Sequence, residues 1–289
     1  MTELLEKIKI HLDNPDSEDC PFCPGKEDKH EWITFKGEDN NGSKLRKAMN
    51  KPSRNNFAQE KGARPKDGVY PRQSKDTPND PLMHKGKDSI YNHSTYGDYG
   101  NEAHHCISGK EIMLGEPIEK ELTKNGDQYK GDTGYNINNA ANGVFLPSYP
   151  NKFEGTWGGK SYEEKYEIMK HVMASEKGQV HIGGHSGHTI EEADKDYPTA
   201  IKEQLLKIKK RIVDKSEECP FCVENDGKPK KPFIPPYKAN QWLDNLSKDI
   251  KKDLTEPVNN WKYFISKYAK DYFIKESPKK KTSKKKKFS

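Results

Sequence analysis

Long apolar runs are missing from this chain. No stretch of its 289 residues approaches the roughly 18 to 20 apolar residues that a membrane-spanning helix needs, so no membrane span is expected. No cleavable secretory leader is expected either, because Met1–Leu12 reads as an amphipathic, acid-containing helix. The expectation is a protein kept in the cytoplasm of the cell that makes it, with any export using a route that reads no cleaved signal. Apolar residues are scarce overall: 30% hydrophobic against 33% charged, with a mean hydropathy of −1.15, which predicts a modest core and long excursions.

Basic character is also scarce outside one place. The net charge is +6, yet the last thirteen residues hold seven lysines and no acid, so removing them leaves the rest of the chain at −1. That tail, with Lys279, Lys280, Lys281, Lys284, Lys285, Lys286 and Lys287, reads either as a disordered solubilising end or as an electrostatic arm for nucleic acid.

Cysteine is rare, and four of the five fall in two copies of one phrase, Cys20-Pro21-Phe22-Cys23 and Cys219-Pro220-Phe221-Cys222. Each pair offers two thiolates from a tight turn, and two pairs close a tetrahedral zinc shell. A shared structural Zn2+ stapling the two ends is the favoured reading. Two redox pairs, or two separate sites completed by His11 or His30, remain open. The fifth, Cys106, reads as a small buried hydrophobe.

Periodicity predicts helices over Glu3–His11, Tyr162–Ala174, from about Pro198 through Ile212, over Asn240–Leu254 and over Pro257–Phe273. In the last, the aromatic stripe of Trp261, Tyr263, Phe264, Tyr268, Tyr272 and Phe273 reads as core. Residues 36–80 are rich in Asn, Lys, Gly, Pro and Asp and read as a long loop. Short β-capable pieces, His104–Ser108 and Gly143–Leu146, lie between, giving an α+β expectation. The segments expected are 1–35 with the first cysteine pair, 36–88 loop-rich, 89–214 carrying the motifs, 215–276 with the second cysteine pair and helices, and 277–289 as tail.

Three phrases inside 89–214 carry chemistry: Ala103-His104-His105, Asn142-Gly143-Val144-Phe145-Leu146-Pro147, and His181-Ile182-Gly183-Gly184-His185-Ser186-Gly187-His188. Phosphodiester hydrolysis needs a base, a cation and rigid placement of both. Adjacent strand histidines divide between two faces, so one can face an ion while the other reaches water. An Asn before Gly can turn its amide onto nearby backbone. His181, His185 and His188 share a face if helical; if the glycines prevent a helix, only two converge, and His181 and His185 are favoured over His188.

Together these phrases resemble the AHH family of the HNH/endonuclease VII superfamily, found as toxin domains in bacterial polymorphic and secretion-system effectors. The resemblance covers about 91–212, and its most specific part is the Asn-Gly-Val-x-Leu-Pro phrase. It implies a ββα-metal nuclease core surrounded by helices, with His104 a metal ligand, His105 the general base, Asn142 the orienting residue, and His181 and His185 further ligands. It also implies DNA as substrate, a dedicated immunity protein and a secretion-system carrier. An RNase of the same fold and a non-catalytic zinc-stapled nucleic-acid-binding protein are the alternatives. The catalytic ion expected is Mg2+, with Mn2+, Ni2+ or Zn2+ as substitutes. One departure stands out: the family places a tyrosine shortly after its later histidine, where this chain has His188, and Tyr197 lies farther on.

Overall fold

The computed structural model describes residues 40–49, 91–123, 129, 132–175, 178–191, 194–218, 235–236 and 238–276. Both cysteine pairs, the expected Glu3–His11 helix and the lysine tail lie outside them. In chain order the elements are α1 (Gly42–Met49), β1 (Tyr91–His93), β2 (Gly97–His105), α2 (Glu119–Leu122), β3 (Gly143–Pro150), α3 (Tyr162–Ala174), α4 (Tyr197–Glu218), α5 (Lys238–Thr255) and α6 (Lys267–Glu276). The architecture is mixed helix with a small antiparallel sheet in the order β1-β2-β3. Among the described residues no helix is long and apolar enough to cross a membrane.

Two compact units are present, each assembled from separated segments. One takes its described residues mainly from Ile107–Asn139 and Ile201–Leu246. There Ser108 caps a π-helical turn, Gly109–Met113, by accepting from the Glu111 amide at 3.1 Å. Ile112, Met113, Leu122, Leu205 and Leu243 are fully buried apolar residues of this unit. The buried Glu121 carboxylate accepts from the Tyr129 hydroxyl, and Asn240 donates to the Thr133 carbonyl at 2.8 Å, so these polar groups enter the interior with partners.

The other unit takes Asn41–Cys106, Ala140–Ala200 and Ser247–Ser289, and it holds the sheet. Strand β2 pairs with β3 in a register that sets His104 opposite Val144 and His105 opposite Gly143, with an irregularity between Tyr99 and Asn101. β3 runs past Pro147 to Pro150, beyond the Leu146 end expected. As an edge strand it tolerates prolines, whose missing N–H is not needed by a second neighbour. Its residues are buried almost without alternation, as in a strand covered on both faces.

Helix α3 begins at a capping box: Ser161 Oγ accepts from the Glu164 amide and the Glu164 carboxylate accepts from the Ser161 amide. Such a cap contributes about 1 kcal/mol. Tyr166, Met169 and Val172 from α3 pack with Tyr99, Trp261, Phe264, Tyr268 and Tyr272 into one core, so four of the six aromatics are core as expected, while Phe273 packs against it half-buried and Tyr263 is a half-buried residue outside it.

Two expectations need correction. The loop expected over 36–80 contains α1, whose Leu45 is fully buried; a Cβ on Gly143 would stand 2.8 Å from Leu45 Cδ1, so the missing side chain is what admits this helix. Burial of one leucine against a glycine is a tertiary fact that polar composition hides. The helix expected over Pro257–Phe273 starts only at Lys267, after a 3-10 turn at Val258–Asn260. Trp261 instead donates its indole N–H to the Glu256 carbonyl at 2.6 Å, a turn contact that takes the place of a helical start.

Candidate metal centre

The site sits in the sheet-bearing unit and is assembled from the end of β2, the segment 178–191 and the first turn of α4. His104 and His105 end β2, and the next amide, Cys106 N, donates to the Asn142 carbonyl at 2.9 Å, closing the ladder beside them. Cys106 itself is fully buried and unbridged, as expected of a small hydrophobe.

The segment carrying the later histidines is held from both sides. Gly178 has φ of +89°, and a Cβ there would meet the Leu254 carbonyl at 2.7 Å, so only glycine fits. The fully buried Gln179 donates to the Tyr263 carbonyl (2.6 Å) and accepts from the Ile265 amide (3.0 Å), while its own amide donates to Leu254 O. Two residues on, the His181 amide donates to Pro147 O at 2.8 Å, fastening the segment to β3. Gly183 and Gly187 both take positive φ, and no helix forms here.

One ring nitrogen from each of His104, His181 and His185 lies within 4.8 Å of the others, a separation that a single ion can bridge. Ring centroids of His104 stand 4.9 Å from both His181 and His185. His188 is not in this group; its Nε2 is 2.8 Å from the Gly184 carbonyl. The glycine-broken alternative is therefore the one the fold adopts, and the helical sharing of one face by all three is not.

Two further side chains position the imidazoles. Glu102 Oε2 accepts from Nδ1 of His181 at 2.9 Å, which leaves Nε2 of that ring with the lone pair. The Tyr197 hydroxyl donates its proton to Cys106 O, so toward His104 Nε2, 3.3 Å away, it presents a lone pair; Nε2 then carries the hydrogen and Nδ1 is left as the electron-pair donor. Neither role was assigned from the sequence. Glu102 stands two residues before His104, which on a strand is the same face, so its signal was present in the alternation. Tyr197 heads α4, where Asp196 accepts from the Thr199 amide at 3.1 Å and from the Gly187 amide at 2.9 Å. That cap ties the helix start to the histidine segment and brings the distant tyrosine home.

His104 is 2% exposed, and burial first, then repulsion from His181, His185 and His105, holds its pKa well below the ordinary histidine range. A neutral imidazole is the form that ligates. His105 is also buried, at 6% exposure. Asn142 is fully buried; its side-chain Oδ1 accepts from Ser247 Oγ at 2.9 Å, and its bond to the end of β2 is made by its main-chain carbonyl, not by the side-chain amide expected to orient the strand. The donor set fits a divalent ion of the zinc or nickel kind, because imidazoles suit borderline metals whereas Mg2+ prefers oxygen.

No protein-family model matches the chain, and no curated protein or solved structure is significantly similar to it.

Proposed function

We propose that this protein is a metal-dependent endonuclease with a ββα-metal core of the AHH kind, cutting DNA. The observation that carries this reading is the convergence of His104, His181 and His185 at the strand end that also bears His105. Histidines separated by 77 residues of chain meet where a hydrolytic site of this chemistry needs them, and a four-cysteine zinc staple between the ends would need none of them.

In this reading His104, His181 and His185 hold the ion, with Glu102 fixing the tautomer of His181 and Tyr197 that of His104. When bound, the ion supplies Lewis acidity to the phosphate and the leaving oxygen. His105 takes the proton from the attacking water, and Asn142 holds the end of β2 in register through its carbonyl bond to Cys106. Zn2+ or Ni2+ suits three imidazoles better than the Mg2+ expected from the sequence, since among the described residues no carboxylate joins the three nitrogens. The same resemblance supports a role as an antibacterial toxin delivered by a secretion-system carrier and held in check by an immunity protein.

The test is incubation of the purified chain with plasmid and with structured RNA, each with Zn2+, Mn2+, Ni2+, Mg2+ or EDTA, beside His105→Ala. Cleavage of plasmid that EDTA stops and His105→Ala slows by about 10²- to 10⁴-fold is the expected result. Cutting of RNA alone would move the substrate to RNA, and no cutting of either with any ion would overturn the nuclease reading.

A further inference from the structure

At the other end of the β2–β3 ladder from His104, β3 leads into an aromatic ledge. Tyr149 stacks on Trp157 with centroids 5.0 Å apart and planes 15° from parallel, and Phe153 lies 6.3 Å from Trp157. All three rings are partly exposed at the rim of the core. Two lysines stand over Phe153: Lys160 Nζ is 4.4 Å and Lys152 Nζ 5.0 Å from its centroid, and Lys152 also donates to the Thr95 carbonyl.

Packing alone accounts for only part of this. Gly155 needs its φ of +81° for the turn, but Gly158 and Gly159, beside Trp157, have no atom within 4 Å of where a Cβ would stand and no positive φ. Nothing inside the protein asks for glycine at these two positions, and their effect is an unobstructed approach to Trp157. An exposed cation–π contact is worth only about 0.5–1 kcal/mol, so the lysine heads can exchange ring for phosphate, while a base stacked on an aromatic gains about 1–3 kcal/mol. Ring faces and ammonium groups side by side match the alternating base and phosphate of an unpaired strand. From Val144, opposite His104, to Tyr149 is five residues of strand, or about 17 Å, within reach of a few nucleotides.

We propose that the Tyr149–Phe153–Trp157 ledge, with Lys152 and Lys160, is a platform on which single-stranded nucleic acid stacks, feeding the strand toward the histidine centre. The choice of nucleic acid as occupant rests on the nuclease reading. Binding is therefore measured apart from cleavage: full-length His105→Ala protein in EDTA, with fluorescein-labelled oligothymidylate, oligouridylate and a duplex of equal length, followed by anisotropy.

Adding Trp157→Ala is expected to weaken single-strand binding by about 5- to 150-fold, with much less effect on the duplex. Gly158→Val, whose Cβ meets no protein atom within 4 Å, is expected to weaken it with the melting temperature unchanged, and Lys152→Ala/Lys160→Ala to flatten its salt dependence. The two oligonucleotides distinguish DNA from RNA on the shared platform. Absence of single-strand binding, or binding indifferent to Gly158→Val and to the lysine pair in folded protein, overturns the proposal. Trp157-dependent binding by a wild-type chain that cuts nothing would sink the nuclease reading and leave the platform standing.

Discussion

Glu102 and His181, 79 residues apart in sequence, are joined by a 2.9 Å contact from carboxylate Oε2 to imidazole Nδ1. A carboxylate behind a histidine fixes the tautomer and raises the basicity of the opposite nitrogen, and such partners are worth about 10- to 100-fold in metal affinity. Glu102→Ala should therefore weaken binding of Zn2+ by roughly that factor in calorimetric titration, and Glu102→Gln by less, because an oxygen acceptor remains. The Glu102 side chain is 48% exposed, so the fold should tolerate both. Unchanged affinity in Glu102→Ala would remove Glu102 from the site.

A pH dependence follows from His104. Its folded pKa lies below that of the unfolded chain, near 6.5. Above that pH both states are neutral and nothing is lost. As pH falls below it, the unfolded chain takes a proton that the folded chain refuses, so stability declines, by at most about 1.4 kcal/mol per pH unit for one histidine. Urea unfolding in EDTA at several pH values between 7.5 and 5.5 should show this decline, shallower in His104→Asn (about one histidine's share). An identical slope in the variant would show that His104 is not the group refusing the proton.

The anchor of the histidine segment should be sensitive to small changes. Gly178→Ala combines a left-handed backbone with a Cβ placed 2.7 Å from Leu254 O, and a loss of about 1–3 kcal/mol is expected. Gln179→Ala strips partners from the Tyr263 carbonyl and Ile265 amide, at about 1–3 kcal/mol for each group left buried and unpaired. Thermal melts decide both; a melting temperature equal to wild type in either would show that the segment is held otherwise.

Cys20, Cys23, Cys219 and Cys222 are expected to hold a zinc separate from the histidine centre, because thiolates bind zinc more tightly than imidazoles at neutral pH. Zinc surviving dialysis against a mild chelator, about one ion per chain, should disappear in Cys23→Ser and in Cys222→Ser and persist in His104→Ala. Elemental analysis showing zinc retained in both cysteine variants would eliminate the shared staple.

Local signals were legible where a single element contains its own cause. The helix Tyr162–Ala174 could be read to both ends, because its apolar spacing and its Ser161–Glu164 cap are contained in fourteen consecutive residues. Helix α5 extends two residues before and one beyond the Asn240–Leu254 expected, the usual blur of helix ends, whereas α4 runs six past Ile212, where the largely polar stretch 213–218 carries no apolar period. Helix α1 was hard to read because its apolar period, Leu45, Ala48 and Met49, is a single repeat set in a polar stretch. Its reason to be ordered lies at Gly143, about a hundred residues away.

Paired histidines at a strand end and a glycine-interrupted histidine segment are patterns legible in the chain itself, whereas the grouping of His104 with His181 and His185 was implied by the resemblance to the AHH family. Which third histidine stays outside, which carboxylate orients His181 and why Tyr197 reaches His104 were decided only by tertiary structure. Those choices depend on the positive φ of Gly178, Gly183 and Gly187, on the Asp196 cap and on the Gln179 anchor, which set directions in space. Spacing along a chain determines a direction only within a regular helix or strand. The histidine segment is neither, so its side chains took their aim from the distant backbone to which it is bonded.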